Sequence, residues 1–179
     1  LDHVVELMHA REPSRTLFAA GVSLGGNALL KWLGERGASA RIQAAATISV
    51  TYDLAACAEN LSRGVSRMYA AVFLRRLREK LTDLVARFPE THQLVNVERG
   101  LAARNFLEFD AAVTAPLHAF TSGADYYERS SSLPYLERIA RPTLAINAAD
   151  DPFQPLRALE DARRRAARGV RVEIAHTGG

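Results

Sequence analysis

The chain has 179 residues, 48% hydrophobic and 24% charged; this predicts one globular domain with a sizeable core and excludes a disordered chain. One cysteine, Cys57, excludes a disulfide framework and a cysteine-based metal site and fits a reducing, cytoplasmic setting. No apolar run is long enough for stable membrane insertion, and the net charge of +3, carried mostly by scattered arginines, predicts no nucleic-acid partner. The opening Leu1-Asp2-His3 is not a signal peptide, and the missing initiator methionine predicts a start within a longer protein.

Residues 1–11 read as a helix on Val4, Val5, Leu7 and Met8, ended by Glu12-Pro13-Ser14. Thr16-Leu17-Phe18-Ala19-Ala20 reads as a buried strand, and Gly21-Val22-Ser23-Leu24-Gly25-Gly26 as a tight turn into a helix that runs to about Glu35, with Gly37 as its stop. Ile42 to Val50 is a second, β-branched strand. Helix, strand, helix, strand is the rhythm of an α/β protein with a parallel sheet.

From Tyr52 to Tyr135 the sequence shows no clear strand. Leu54 to Leu61 reads as a short helix and Ser66 to Phe88 as a long one, with Tyr69, Phe73, Leu77, Leu81, Leu84 and Phe88 on one side and Arg75, Arg76, Arg78 and Lys80 on the other. That stripe predicts packing against a core, with a lid over an apolar substrate pocket as the sharper alternative. Pro89-Glu90 breaks the helix; Val95 to Phe109 holds another, and Phe106-Leu107-Glu108-Phe109-Asp110 fits helix or strand. A turn-rich, aromatic stretch, Ala115 to Phe120, Asp125 to Tyr127 and Ser130 to Pro134, brings the chain back. The expected organisation is a single domain: core over 1–51, helical lid insertion over 52–135, and core again over 136–179.

Pro142 opens the strand Thr143 to Asn147, followed by the loop Ala148-Ala149-Asp150-Asp151-Pro152-Phe153. Leu156 to Arg168 reads as a helix with Gly169 at its C-terminus, and Val170 to Ala175 as a last strand. Arg163, Arg164, Arg165 and Arg168 read as the solvated side of that helix, paired with Glu160 and Asp161, in preference to an anion-binding patch.

The chemistry centres on Ser23. A G-x-S-x-G pattern arises by chance in roughly one chain in twenty of this length, so the strand before it and the helix after it carry the reading. In that context it is a nucleophile elbow, with an ordinary glycine-rich turn as the alternative. The serine is expected in a strained backbone conformation, with neighbours two residues away that must lack bulk. Its hydroxyl would sit at the sheet edge, above the Leu24 amide and the start of the helix. A serine hydroxyl needs a histidine base oriented by a carboxylate, in the chain order serine, acid, histidine. Asp150 and Asp151 lie in a loop after a late strand; for both the structural alternative is a loop turn or helix cap. His3 and His9 precede the serine, His92 and His118 fall in the insertion, and His176 ends the last strand, a base only under a shifted register. No paired-histidine or Cys/His cluster suggests a metal, and the chemistry needs no cofactor.

Gly21 to Asn27, Tyr52-Asp53-Leu54, Phe109-Asp110, Thr114-Ala115-Pro116, Asp125-Tyr126-Tyr127 with Ser130-Ser131, and Asn147 to Phe153 together resemble the YheT-like branch of the α/β-hydrolases, in the family's order from about residue 17 to the end. The resemblance implies an α/β-hydrolase fold and a serine esterase with lipase-like activity on carboxylic esters. Ser23 would be the nucleophile, Leu24 an amide donor to the oxyanion, and Asp151 the acid, since in related hydrolases the acid is followed by a short segment ending in proline. Asp150 stays as the alternative. In the family pattern a Gly-Gly is followed directly by the catalytic histidine. The base is therefore expected just after Gly178-Gly179, and the upstream H-G-x-x-G-like oxyanion loop is not in this sequence. The chain is expected to be a fragment with little or no turnover of its own, from an enzyme acting on a small, hydrophobic ester. The alternatives are a non-catalytic α/β-hydrolase-fold binding protein and an acyltransferase using the same serine.

Overall fold

In a computed structural model, which describes residues 1–178, the chain opens with the helix α1 (Asp2–Arg11). No α1 residue is buried. Partly buried Val5 packs against the core, and polar ties add to it: the Trp32 indole N–H donates to the Asp2 carboxylate at 2.6 Å, Arg36 pairs with the same group, and Arg41 pairs with Glu6 at 2.6 Å. Arg36 and then Trp32 hold the Asp2 carboxyl below the usual aspartate range.

The chain then forms β1 (Phe18–Val22), α2 (Leu24–Arg36) and β2 (Ala44–Ile48). Both strands differ from the apolar runs that announced them. β1 begins two residues later than Thr16, and β2 is trimmed at each end. The runs mark burial, while the strands mark pairing. Ile42 and Val50 lie in the core but outside the ladder.

Residues 54–130 form one of two compact units; the other combines 1–53 with the residues from 131 onward. The 54–130 unit contains α3 (Leu54–Asn60), α4 (Ser66–Arg87), α5 (Val97–Ala102), α6 (Phe106–Phe109), α7 (Ala115–Leu117) and α8 (Gly123–Ser130), and no strand among its described residues. The ambiguous Phe106 segment is helical because Asn105 caps it, its Oδ1 accepting the Glu108 N–H at 2.9 Å. The chain then widens into a π-helical turn over Asp110–Thr114. The expected face of α4 is corrected in its first half. Ser66, Ala70 and Leu74 are buried, whereas Tyr69 and Phe73 are 50% and 45% exposed; farther along, Leu81 is buried as expected and Phe88, just past the helix end, is 50% exposed. Apolar residues wrap more than one side of these turns, so periodicity alone does not choose the inward one. Small Ser66 and Ala70 go inward, where they allow close approach.

After a 3₁₀ turn (Leu133–Arg138) come β3 (Thr143–Ala148), α9 (Leu156–Arg165) and β4 (Val170–Ala175). α9 stops three residues short of Arg168 because Ala166 turns extended, at φ −59° and ψ 129°. Its arginines line the solvent side, with Arg164 paired to Asp161.

The four strands are parallel in the order β1-β2-β3-β4. Val22 is level with Ile48, Ile48 with Ile146, and Ile146 with Glu173. One face of the sheet joins the core with Leu30 and Leu33 of α2 and Leu159 and Ala162 of α9. On the other face Phe18, Val22, Ile48, Leu144 and Ile146 remain 39–70% exposed. All four strands point the same way, so the residues after β1 and after β3 lie along one edge.

Candidate active site

β1 ends at Val22 and the chain reverses at once into α2. Ser23 makes that reversal with φ 53° and ψ −125°, a left-handed conformation for a residue with a side chain, which costs about 1–3 kcal/mol. Bonds on both sides hold it. The Ser23 N–H donates to the Ile48 carbonyl at 2.9 Å, and the Ser23 carbonyl accepts from the Asn27 N–H at 3.1 Å. A Cβ on Gly21 would lie 2.8 Å from both the Gly25 carbonyl oxygen and the Gly26 Cα; one on Gly26 would lie 2.8 Å from Val50 Cγ2. One on Gly25 would meet nothing within 4 Å among the described residues. The expectation that both glycines two residues from the serine must lack bulk is therefore corrected. Strand and helix cross where Gly21 faces Gly26, and Gly25 points away from that crossing.

Leu24 is the first residue of α2. Its N–H is one of the donors a helix start leaves without an intrahelical acceptor, at the positive end of the helix dipole.

The second group follows β3. Ala149 N–H donates to the Ala175 carbonyl at 2.8 Å, and the loop then turns on itself through Asp151 N–H to Ala148 O and Gln154 N–H to Asp151 O, both at 3.3 Å. Asp151 is only 7% exposed, and its Oδ1 accepts the Phe153 N–H at 2.8 Å. Burial raises the Asp151 carboxyl above the usual aspartate range; the Phe153 N–H opposes this and the neighbouring Asp150 charge adds to it. The bond to Phe153 fulfils the loop-turn alternative. It occupies one carboxylate oxygen, and Oδ2 takes no hydrogen bond from the described residues. Asp150 is exposed, and its carboxylate accepts the Gly178 N–H at 3.4 Å.

Ser23 and the Asp151 loop thus follow β1 and β3 on one sheet edge, with β2 between them. Two ladder spacings separate the strands, about 9–10 Å. His176 directly follows β4 and is exposed. His3 and His9 ride on α1, where His9 Nε2 lies 2.7 Å from the Arg41 carbonyl oxygen. His92 and His118 are exposed in the 54–130 unit. Gly179, and the histidine expected after it, lie outside the described residues.

Beneath this edge runs a buried polar network that the sequence reading left without a role. Tyr52 Oη donates to Asn147 Oδ1 at 2.9 Å, Asn147 Nδ2 donates to the Val50 carbonyl at 3.2 Å, and Gln154 Nε2 donates to that same carbonyl. The available signal was Asn147, an amide at the inward end of an apolar strand; buried amides persist only when hydrogen-bonded. Among the described residues no group of three or more His, Cys, Asp or Glu side chains could hold a metal ion, and no helix is long and apolar enough to cross a membrane.

A family model for the alpha/beta hydrolase fold matches residues 5–179. YheT of Escherichia coli, a protein named as an esterase, is 38% identical over 135 residues, covering 75% of this chain and 39% of its own length. Human phospholipase ABHD3 is 30% identical over 162 residues, covering 89% of this chain and 38% of its own. The medium-chain fatty acid ethyl ester synthase/esterase 2 of Saccharomyces cerevisiae is 29% identical over 162 residues, covering 79% and 36%. A solved structure of a soluble variant of monoglyceride lipase from Saccharomyces cerevisiae, in complex with a substrate analog, shares the fold with a TM-score of 0.51 at 15% identity, over 97% of this chain and 57% of that one. The chain spans about two-fifths of the length of these curated relatives. With its parallel sheet, its strand-to-helix serine turn and a family match over nearly its whole length, the chain belongs to the α/β-hydrolase fold family, in the YheT-like branch.

Proposed function

We propose that this chain carries the nucleophile and the orienting acid of a serine hydrolase that cleaves carboxylic esters. The observation that carries the reading is Ser23: a side-chain-bearing residue held at φ 53° on the sheet edge that also bears the buried Asp151 loop. Strain of that kind persists only where the surroundings over-determine it, and it clusters at functional sites.

In this mechanism Ser23 Oγ attacks the ester carbonyl carbon and gives its proton to the base, the histidine that the family pattern puts directly after Gly178-Gly179. The carbonyl oxygen takes the negative charge and is held in part by the Leu24 N–H. The C–O bond to the alcohol then breaks, and the base returns the proton to the departing oxygen. Water repeats the sequence on the acyl-serine and releases the acid. Asp151 would accept the second ring N–H of the base through Oδ2, and so fix its tautomer and orientation. We assign 52–135 to the lid insertion; its apolar residues favour a hydrophobic ester as substrate. The buried lone Cys57 supports a cytoplasmic setting. A name shared by synthase and esterase in one relative favours a second fate for the acyl-serine, transfer to an alcohol in place of water.

The test is covalent labelling of the full-length protein with a fluorophosphonate probe. Labelling and p-nitrophenyl ester hydrolysis are expected, and both should vanish in Ser23→Ala. Either one persisting in that variant overturns the reading.

A further inference from the structure

We propose that the five residues 48–52 form a bracket that fixes the Ser23 turn and the Asp151 loop against each other, and that Asn147 and Gln154 are positioning residues that lock it through the Val50 carbonyl. The proposal rests on Ser23 and Asp151 being nucleophile and acid.

The segment touches both reactive elements. On the serine side, Ile48 O accepts the Ser23 N–H at 2.9 Å, and Val50 Cγ2 fills the space against Gly26 so closely that a Cβ there would lie 2.8 Å away. On the acid side, the Ser49 N–H donates to Ile146 O at 2.8 Å, and the Val50 carbonyl accepts from both Asn147 and Gln154. Between these contacts Ser49 bends the chain with φ 51°, a second left-handed residue that bears a side chain. This bend takes the chain out of β2 and brings the Val50 carbonyl toward the acid strand. Val50 is fully buried, and its carbonyl has two lone pairs, each matched to one amide donor.

Gln154 is the locking residue nearer to the chemistry. Its main-chain N–H closes the turn on the Asp151 carbonyl, and its side chain reaches back to Val50. Asn147 is locked in turn by Tyr52, whose phenol is kept a neutral donor by burial. The Gln154 amide thus adds a side-chain tie to the Val50 carbonyl to the backbone bond of Ala149 and the turn bonds of the acid loop. A misplacement of about 1 Å at a reacting group costs roughly a hundredfold in rate, so a bracket of this kind acts on turnover before it acts on binding.

The experiment compares full-length wild type, Gln154→Met, Tyr52→Phe, Ser23→Ala and Asp151→Asn for kcat, KM, the pH dependence of kcat/KM, and melting temperature. Gln154→Met keeps length and loses the donor. It is expected to lower kcat about tenfold with KM within about twofold, and to move the acid limb of kcat/KM to lower pH. The sign follows because a base that loses its carboxylate neighbour has a lower pKa. If Gln154→Met does not fold, Tyr52→Phe, which removes a single hydroxyl, carries the same test with the same readouts. A lower melting temperature with unchanged kcat and pH profile makes the network merely structural and overturns the bracket, while loss of activity in Ser23→Ala and Asp151→Asn leaves the hydrolase reading standing. Activity that survives Ser23→Ala sinks that reading, and the bracket with it.

Discussion

The three glycines around Ser23 should respond to alanine in three different ways. At Gly21 the new methyl would sit 2.8 Å from the Gly25 carbonyl oxygen and the Gly26 Cα, and 2.9 Å from the Gly26 nitrogen. For the carbon pair that is about 0.7 Å inside a comfortable contact. Every atom it meets is backbone, so relief requires moving the helix start that carries the serine; the cost is expected near the top of the overpacking range, about 3 kcal/mol. At Gly26 the closest atom is a side-chain methyl, Val50 Cγ2 at 2.8 Å, with the Gly21 carbonyl oxygen at 3.3 Å. Val50 can give a little, and about 1–2 kcal/mol is expected. Gly25 has open space around its Cβ position and is not among the residues with positive φ. Alanine there should stabilise by about 0.4–1 kcal/mol, chiefly by restricting the unfolded chain. In a chain of this length each kcal/mol moves the melting temperature by about 2–4 °C. Thermal melts followed by circular dichroism should therefore show Gly21→Ala falling by about 6–12 °C, Gly26→Ala by roughly half as much, and Gly25→Ala rising slightly. A Gly25→Ala variant as unstable as Gly21→Ala would refute the crossing geometry.

Two further outcomes are expected. Asp151→Asn should lower kcat of the full-length protein by about 10³–10⁴, while Asp150→Asn should change it less than about threefold, because an exposed carboxylate in high dielectric couples weakly to its surroundings; the reverse ranking would move the acid to Asp150. Asp110 is buried, with Thr114 Oγ1 and Tyr127 Oη each donating to its carboxylate at 2.6 Å, and burial raises its carboxyl above the ordinary aspartate value against those two bonds. Its folded value exceeds its unfolded one, so its contribution to stability is fully present below the ordinary aspartate pKa and is lost as pH rises through the raised value. Urea titrations across that acid window should show stability falling with pH for this group, and Asp110→Asn should flatten that component; an unaltered slope would count against it.

Around the sheet the order of helices and strands was legible because each element carries its own period and its own stop; the stretch Ala115 to Pro134, read as turns, instead holds α7 and α8, which are too short to show a period. The turn at Ser23 was legible for the same local reason: strand, tight turn and helix are adjacent in the chain. The sequence favoured Asp151 over Asp150 only through the resemblance; the difference in their surroundings came from the fold. Two identical neighbours differ only in which one the turn buries and which receives the Phe153 N–H. The inward face of α4 was misread because Tyr69 and Phe73 are as apolar as the residues that are buried there. Gly25 was credited with a role that belongs to Gly26, since one residue of helix turns the Cβ by about 100°. The Val50 carbonyl had no signature at all, because every residue has a carbonyl and only the fold decides which one collects two amide donors.

The middle strand of the trio has a consequence of its own. β2 brings no reactive side chain to the edge, yet it sets the gap between the turn after β1 and the loop after β3. That gap is measured in peptide groups: interstrand distance comes from N–H···O=C length and varies little with which residues are strung along the ladder. A sheet of this kind works as a ruler: Ala45 and Thr47 of β2 are tied to the core, but on its open side, at Ala46 and Ile48, mutation can repaint the ruler without stretching the interval it spans.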